Sequence, residues 1–183
     1  GEELRAGRVV VAAGPWSGSL PGLPEEAHVP VRPVKGQILR LRDPAGAGLT
    51  ARIVRFEGGY LVPRGDGRYV LGATMEERGF DTTVTAGSIY ELLRDAGELV
   101  PGVHEMVIEE LSAGLRPATP DNAPVLGPAD EVAGLHWATG HHRNGILLAP
   151  VTAEIVVAGL EDGGADEPVL PAFAAARFGS VTA

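Results

Sequence analysis

The stretch Tyr60-Leu61-Val62-Pro63-Arg64-Gly65-Asp66-Gly67-Arg68-Tyr69-Val70-Leu71-Gly72-Ala73-Thr74 decides how the chain is read. Two β-prone runs flank a Gly-Asp-Gly turn, which is the pattern of a hairpin and so of an antiparallel sheet. Pro63 has no backbone donor, which places it at a strand end or on an edge strand. Working outward, residues 36–41 and 51–56 form further short strands, each bounded by glycine. From Thr85 to Val100 the spacing turns helical, with Ile89, Leu92, Leu93, Ala96 and Leu99 on one face and Pro101-Gly102 as the stop. Val103 to Leu111 returns to strand.

The flanks are of a different kind. Residues 8–14, Arg-Val-Val-Val-Ala-Ala-Gly, form a short strand apolar enough for full burial, ending at a glycine turn before Pro15-Trp16-Ser17. Leu20 to Glu26 is too rich in breakers for a regular element and suits a crossover, with a boundary near residue 30. Residues 112–127 form a proline-stiffened ordered loop around Arg116. Leu135 to Gly140 is another strand leading to glycine, and Ile146 to Leu160 is a mostly buried helix that carries Pro150 early, where a missing donor costs little. The tail after Glu161 is loop-like, with a short turn over residues 171–178.

Composition narrows the function classes. The chain has 183 residues, 24 acidic against 15 basic side chains, and a net charge of -9. That field repels phosphate, so nonspecific partnership with nucleic acid or an anionic membrane is excluded as a main role. The absence of cysteine removes disulfides, thiolate nucleophiles and cysteine-ligated metal sites. No run approaches the length of a transmembrane helix and the first residues lack signal-peptide character, so the expected place is the cytoplasm.

Chemistry concentrates in two places. Thr139-Gly140-His141-His142-Arg143-Asn144-Gly145-Ile146 joins a strand to a helix, and the orphan amides of such a helix start can hold an anion or an electron-rich carbonyl. The same pattern also serves as a plain glycine turn with Asn144 as the helix cap. The adjacent histidines lack a third ligand at metal-binding spacing. Arg116, between Gly114-Leu115 and Pro117, has a constrained backbone and a guanidinium fork suited to a carboxylate, or else braces its loop. Tyr60 stands at a strand start after Gly58-Gly59, and Met75 reads as core filler. Gly46-Ala47-Gly48 imitates a dinucleotide fingerprint but has no strand before it and no helix after it.

Taken together, residues 9–17 (VVVAAGPWS), 33–37 (PVKGQ), 60–64 (YLVPR), 72–75 (GATM), 113–117 (AGLRP) and 140–150 (GHHRNGILLAP) resemble the flavin-dependent D-amino-acid oxidase-like family, nearest its glycine oxidases of thiamine biosynthesis. The resemblance implies an α+β and α/β architecture: an antiparallel-sheet substrate domain with helices over residues 30–110, inserted in an incomplete, Rossmann-like FAD-binding domain made of residues 1–29 and 111–183. It implies FAD as cofactor. Gly14, His141, His142, Arg143, Asn144, Gly145, Ile146 and Leu147 would face the flavin. Arg116 would clamp the substrate carboxylate, Tyr60 would hydrogen-bond it, and Met75 and Arg143 would lie at the substrate cavity.

The implied reaction is oxidative deamination of glycine, with sarcosine or small D-amino acids as neighbouring substrates and O2 as the second substrate; a noncatalytic ligand- or partner-binding module is the competing reading. The strand, glycine turn and helix that would cradle the FAD pyrophosphate find no counterpart in the sequence. On that ground the chain reads as a carboxyl-terminal portion only, inactive by itself, partnered by a missing N-terminal FAD-binding segment and belonging to a homo-oligomer when whole.

Overall fold

A computed structural model describes residues 5–46, 48–129, 131–161 and 170–179 of the chain. The fold is mixed α/β, with two sheets and several helices, and it divides into two compact units. One unit comprises Gly1–Pro33 with Arg116–Ala183, and the other Val34–Leu115.

The second unit is built on a five-stranded sheet in the order β3-β4-β5-β2-β6. Its strands are β2 (Arg32–Arg42), β3 (Val54–Phe56), β4 (Gly59–Pro63), β5 (Arg68–Gly72) and β6 (Val107–Ala118), the first and last of which run past the unit's limits. The hairpin forms as its sequence dictates. Strands β4 and β5 pair antiparallel from Tyr60 opposite Gly72 to Pro63 opposite Tyr69. At the turn, Gly65 and Gly67 both take positive φ, and Asp66 accepts hydrogen bonds from the Arg68 backbone and guanidinium. Pro63 ends an interior strand rather than lying on an edge.

Helix α1 (Ala86–Leu99) packs on this sheet because Leu92 and Ala96 recur on the face that meets Leu39, Leu41, Leu61 and Leu71. Those four sheet leucines are fully buried, and each contributes about 1.5–3 kcal/mol through removal of its side chain from water. Leu99 departs from the expected stripe. It is exposed, at the last helical residue, where the chain turns away toward Pro101.

Strand β2 shows how one face changes character along its length. Lys35, Gln37, Leu39 and Leu41 alternate onto the same face, and all four are fully buried. The leucine half lies under α1, while the Lys35–Gln37 half lies under the segment that follows β5. There Lys35 Nζ meets Asp81 Oδ2 at 2.8 Å, Gln37 Nε2 donates to Glu76 Oε1 at 2.8 Å, and Gln37 Oε1 accepts from Thr85 N at 2.9 Å. Backbone bonds between Lys35 and Glu76 in both directions, 2.9 and 3.0 Å, continue the ladder past Gly72. Polar groups buried here are therefore paired, as a low-dielectric interior requires.

The first unit holds a three-stranded sheet in the order β1-β8-β7. Strand β1 (Val9–Val11) runs parallel to β8 (Leu135–Thr139), which runs antiparallel to β7 (Val125–Pro128). Its core gathers Val29, Val31, Val125, Ala129, Leu135 and Trp137, with Ala175 and Phe178 packed against it.

Four sequence expectations are corrected. Val9 and Val10 are exposed, because β1 is an edge strand paired only with β8 among the described residues. Residues 112–118 continue β6 and residues 125–128 form β7, so most of the proline-rich stretch is strand: Pro117 and Pro128 sit at strand ends, where the missing donor is tolerated. Helix α2 (Gly145–Glu161) exists, with Pro150 inside it, but is not mostly buried; Ile146, Leu147, Val151 and Val157 are exposed. The tail at 170–179 is more regular than a single turn, with α3 (Leu170–Phe173) and a 3-10 turn at Ala175–Phe178, and the loop expected after Glu161 falls at 162–169, outside the described residues.

The buried ammonium yields a prediction. Asp81→Asn removes the carboxylate that the buried Lys35 ammonium meets and lowers Tm by several degrees, whereas the double variant Lys35→Met/Asp81→Asn, which removes both members of the pair, recovers most of the loss. Thermal melts of the three proteins check this; a double variant as unstable as Asp81→Asn alone contradicts it.

Candidate functional site

In the first unit the strand-to-helix turn is fixed by contacts that begin at its first residue. Thr139 is buried and receives Ser17 Oγ at 2.8 Å, and its own Oγ1 donates to Gly14 O at 3.1 Å. The turn at Gly14–Ser19, positive in φ at Gly14, is thereby tied to the end of β8. Gly140 follows with φ +77°, and a Cβ there would stand 2.7 Å from Thr119 Cγ2 and 3.3 Å from Val125 N. Only glycine allows this approach, and the strained conformation alone costs any other residue about 1–3 kcal/mol.

His142, itself at φ +48°, donates its backbone N–H to Pro117 O at 2.8 Å. This bond brings the turn against the end of β6, one residue from Arg116. His141 turns the other way. Its Nε2 pairs with Thr152 Oγ1 on α2 at 2.9 Å, and burial lowers its pKa, so the neutral ring is favoured. Asn144 closes the turn by donating to His141 O and accepting from Leu148 N, the first bond of the helix ladder. The amides of Gly145, Ile146 and Leu147 thus belong to the helix start, where intrahelical acceptors do not exist.

Ile146 is 95% exposed and Leu147 78% exposed. Two large exposed apolar side chains at a helix start make a surface that suits a flat, aromatic group with an electron-rich edge, because apolar contact favours its face and the helix start favours negative charge. An isoalloxazine ring has those properties, and the turn residues fit it.

The predicted residues fall into two groups. Gly14, Arg116 and 141–147 lie in the first unit, where Arg116 is half-buried and Arg143 and Asn144 are exposed. Tyr60 and Met75 lie in the second. Tyr60 is half-buried and pairs with Gly72, and Met75 follows three residues later on the segment laddered to β2. Because Thr74 and Glu76 point into the buried network, Met75 points out and is 61% exposed, which corrects its reading as core filler. A cavity of about 410 Å³ in the second unit is lined by Gly46, Leu49, Thr50, Pro63, Arg68 and Tyr69, none of them a predicted site residue.

Sequence reasoning missed the Lys35–Asp81 pair and the Gln37–Glu76–Thr85 cluster. Burial raises the Glu76 pKa, but hydrogen bonds from Thr74 and Gln37 outweigh it, and the Lys35 ammonium holds Asp81 well below its usual range. The signal was available in period 2, which puts Lys35 and Gln37 on the leucine face. Arg177 was missed as well. Its guanidinium reaches both Asp121 oxygens, Ala123 O and Ala174 O.

The first unit thus combines a parallel-paired strand ending at a tight turn with a helix start set beside the strand end that carries Arg116. Comparison with known proteins makes this specific: the FAD dependent oxidoreductase family DAO matches residues 1–158, and the chain belongs to that family. FAD is the family's cofactor. The chain is 40% identical over 154 residues to a glycine oxidase of Pseudomonas aeruginosa, covering 84% of this chain and 42% of that protein. It is 42% identical over 177 residues to the bifunctional protein ThiO/ThiG of Trichormus variabilis, covering 96% of this chain and 26% of that one. The crystal structure of glycine oxidase from Geobacillus kaustophilus superposes with a TM-score of 0.80 at 37% identity, over 93% of this chain and 45% of that one.

These matches overturn the expectation of a carboxyl-terminal portion only. The family match begins at residue 1 and the relatives align over most of the chain, so the likeness is not confined to one end of it. The chain spans less than half the length of these relatives. No helix among the described residues is long and apolar enough to cross a membrane.

The neutral state of His141 gives a pH prediction. Its folded pKa is depressed, so the unfolded chain takes up the proton first as pH falls through about 6.5, and the fold loses stability over that interval. The Tm of His141→Gln, compared with the parent, should fall less between pH 7 and pH 5; parallel curves contradict the assignment.

Proposed function

We propose that the chain carries the substrate-binding and part of the flavin-binding machinery of an amine oxidase that oxidatively deaminates glycine. The hydrogen bond from His142 N–H to Pro117 O carries the reading, because it holds the amide-bearing turn beside the strand end that presents Arg116. Family membership and likeness to glycine oxidases support it.

In this reading residues 1–29 and 111–183 belong to the flavin-binding domain and residues 30–110 to the substrate domain inserted in it. When bound, FAD supplies the two-electron acceptor. Ile146, Leu147 and the turn residues His141, His142, Arg143, Asn144 and Gly145 would hold the ring, with the helix start stabilising negative charge on it. Gly14 leaves room for close approach of the cofactor at the other turn. In the first unit Arg116 takes the substrate carboxylate through its guanidinium fork, with Arg143 as a second cation offered to the substrate; Tyr60 and Met75 are the second unit's own proposed substrate-binding residues. Orientation of the amine-bearing carbon is then the protein's main contribution. The balanced reaction is glycine, O2 and water giving glyoxylate, ammonia and H2O2.

Hydrogen peroxide formation by the FAD-loaded protein with glycine, sarcosine, D-alanine and D-proline tests the proposal. Glycine is expected to give the highest kcat/KM, and Arg116→Met to raise KM by roughly one to two orders of magnitude through loss of charge-assisted binding. An absence of peroxide with every amine sinks the oxidase reading, while preference for another amine reassigns the substrate.

A further inference from the structure

We infer that Arg177, on the 3-10 turn near the end of the described chain, is a positioning residue that latches the loop after β6 and through it sets both Arg116 and the His141–Asn144 turn. All the residues concerned lie in the first unit. The role assigned to those two partners rests on the amine oxidase reading; the latch itself rests on geometry.

The loop Thr119–Pro124 connects β6 to β7 and has little regular structure of its own. It is held by side chains. Thr119 is fully buried and donates to Ala123 O at 2.8 Å and to Asp121 Oδ1 at 3.0 Å. Asp121 Oδ1 also accepts from Ala123 N at 3.0 Å. These bonds curl the loop but do not anchor it. Arg177 supplies the anchor: Nε and Nη2 fork onto Asp121 Oδ2 and Oδ1 at 2.8 and 3.2 Å, Nη2 donates to Ala123 O at 2.9 Å, and Nη1 returns to Ala174 O at 3.0 Å. The Arg177 side chain is only 14% exposed, and its guanidinium lies 4.1 Å from the centroid of the Phe178 ring. That ring packs against the Val29–Trp137 core, so the anchor is fastened to the body of the unit. The hydrogen bonds from Arg177 also hold the Asp121 carboxyl well below its usual range.

One contact leads to the candidate site from this loop, and a second from the strand end just before it. Gly140 lies so near the loop that a Cβ there would stand 2.7 Å from Thr119 Cγ2, 3.3 Å from Val125 N and 3.5 Å from Pro124 Cα, and His142 N–H ends on Pro117 O. Arg32 Nη1 braces the loop from another side by donating to Thr119 O at 3.0 Å. Release of Asp121 therefore loosens the surface against which the turn is set, and with it the strand end that carries Arg116. A planar fork with several acceptors is a task for arginine rather than lysine.

The test substitutes Arg177→Met, which keeps the apolar stem over Phe178 and removes the hydrogen bonds, and follows amide hydrogen exchange in the 183-residue chain. Exchange is expected to rise at least about tenfold at residues 118–123 and at the His142 and Asn144 amides, with β4 and β5 unchanged. In the FAD-loaded protein the same substitution is expected to raise KM for glycine about tenfold with kcat changed less than about threefold, the signature of lost ground-state binding. Unchanged protection at His142, a rise in exchange throughout both units, or an unchanged KM in an active enzyme overturns the latch. Should Arg177→Met not fold, Asp121→Asn reads the same amides. Failure of the oxidase reading is separate, since it appears as an absence of peroxide from the unsubstituted protein, and the exchange data still decide the latch.

Discussion

The first unit depends on the space that a side chain would occupy at Gly140. With no Cβ there, the end of β8 lies directly on Thr119 and Val125, and the backbone is free to take the positive φ that reverses it. What the turn offers follows from that contact: the bond from His142 to Pro117, the placement of His141 beside Thr152, and the helix start that Asn144 opens. A larger residue would push the turn off its support and separate it from Arg116.

The second unit solves a different problem. Its main sheet strand continues beyond the reach of the helix that covers it, and the remaining core-facing positions are Lys35 and Gln37. Filling that half with paired polar groups ties the segment after β5 down residue by residue, through Thr74, Glu76, Asp81 and Thr85. An apolar filling of equal volume would bury as much surface but would fix no register. The alternation then leaves Met75 facing outward at a defined height.

The elements that were legible in sequence are those with local causes. The Gly-Asp-Gly hairpin carries its turn chemistry in three residues, and the helix of residues 86–99 carries its stop in Pro101-Gly102. The strand-to-helix turn was legible because glycine and Asn144 mark it without help from distant residues. What sequence hid was set by tertiary partners. The valines near the amino terminus have the composition of a buried strand, and only sheet order shows them on an edge. Prolines 117 and 128 suggested a loop, yet each stands where a strand ends and loses nothing. Arg177 and Asp121 are 56 positions apart, and no periodicity joins them.

The seating of Arg177 shows how far along the chain a support can lie from the loop it supports. The family model's match ends at residue 158 and relatives align further, one of them over 96% of the chain, while the guanidinium that steadies the loop after β6 comes from residue 177. A chain trimmed at residue 158 would keep Arg116 and residues 141–147 and lose the guanidinium that holds Asp121 and Ala123. The end of a matched region is therefore a poor guide to where the contacts that hold a loop in place begin and end.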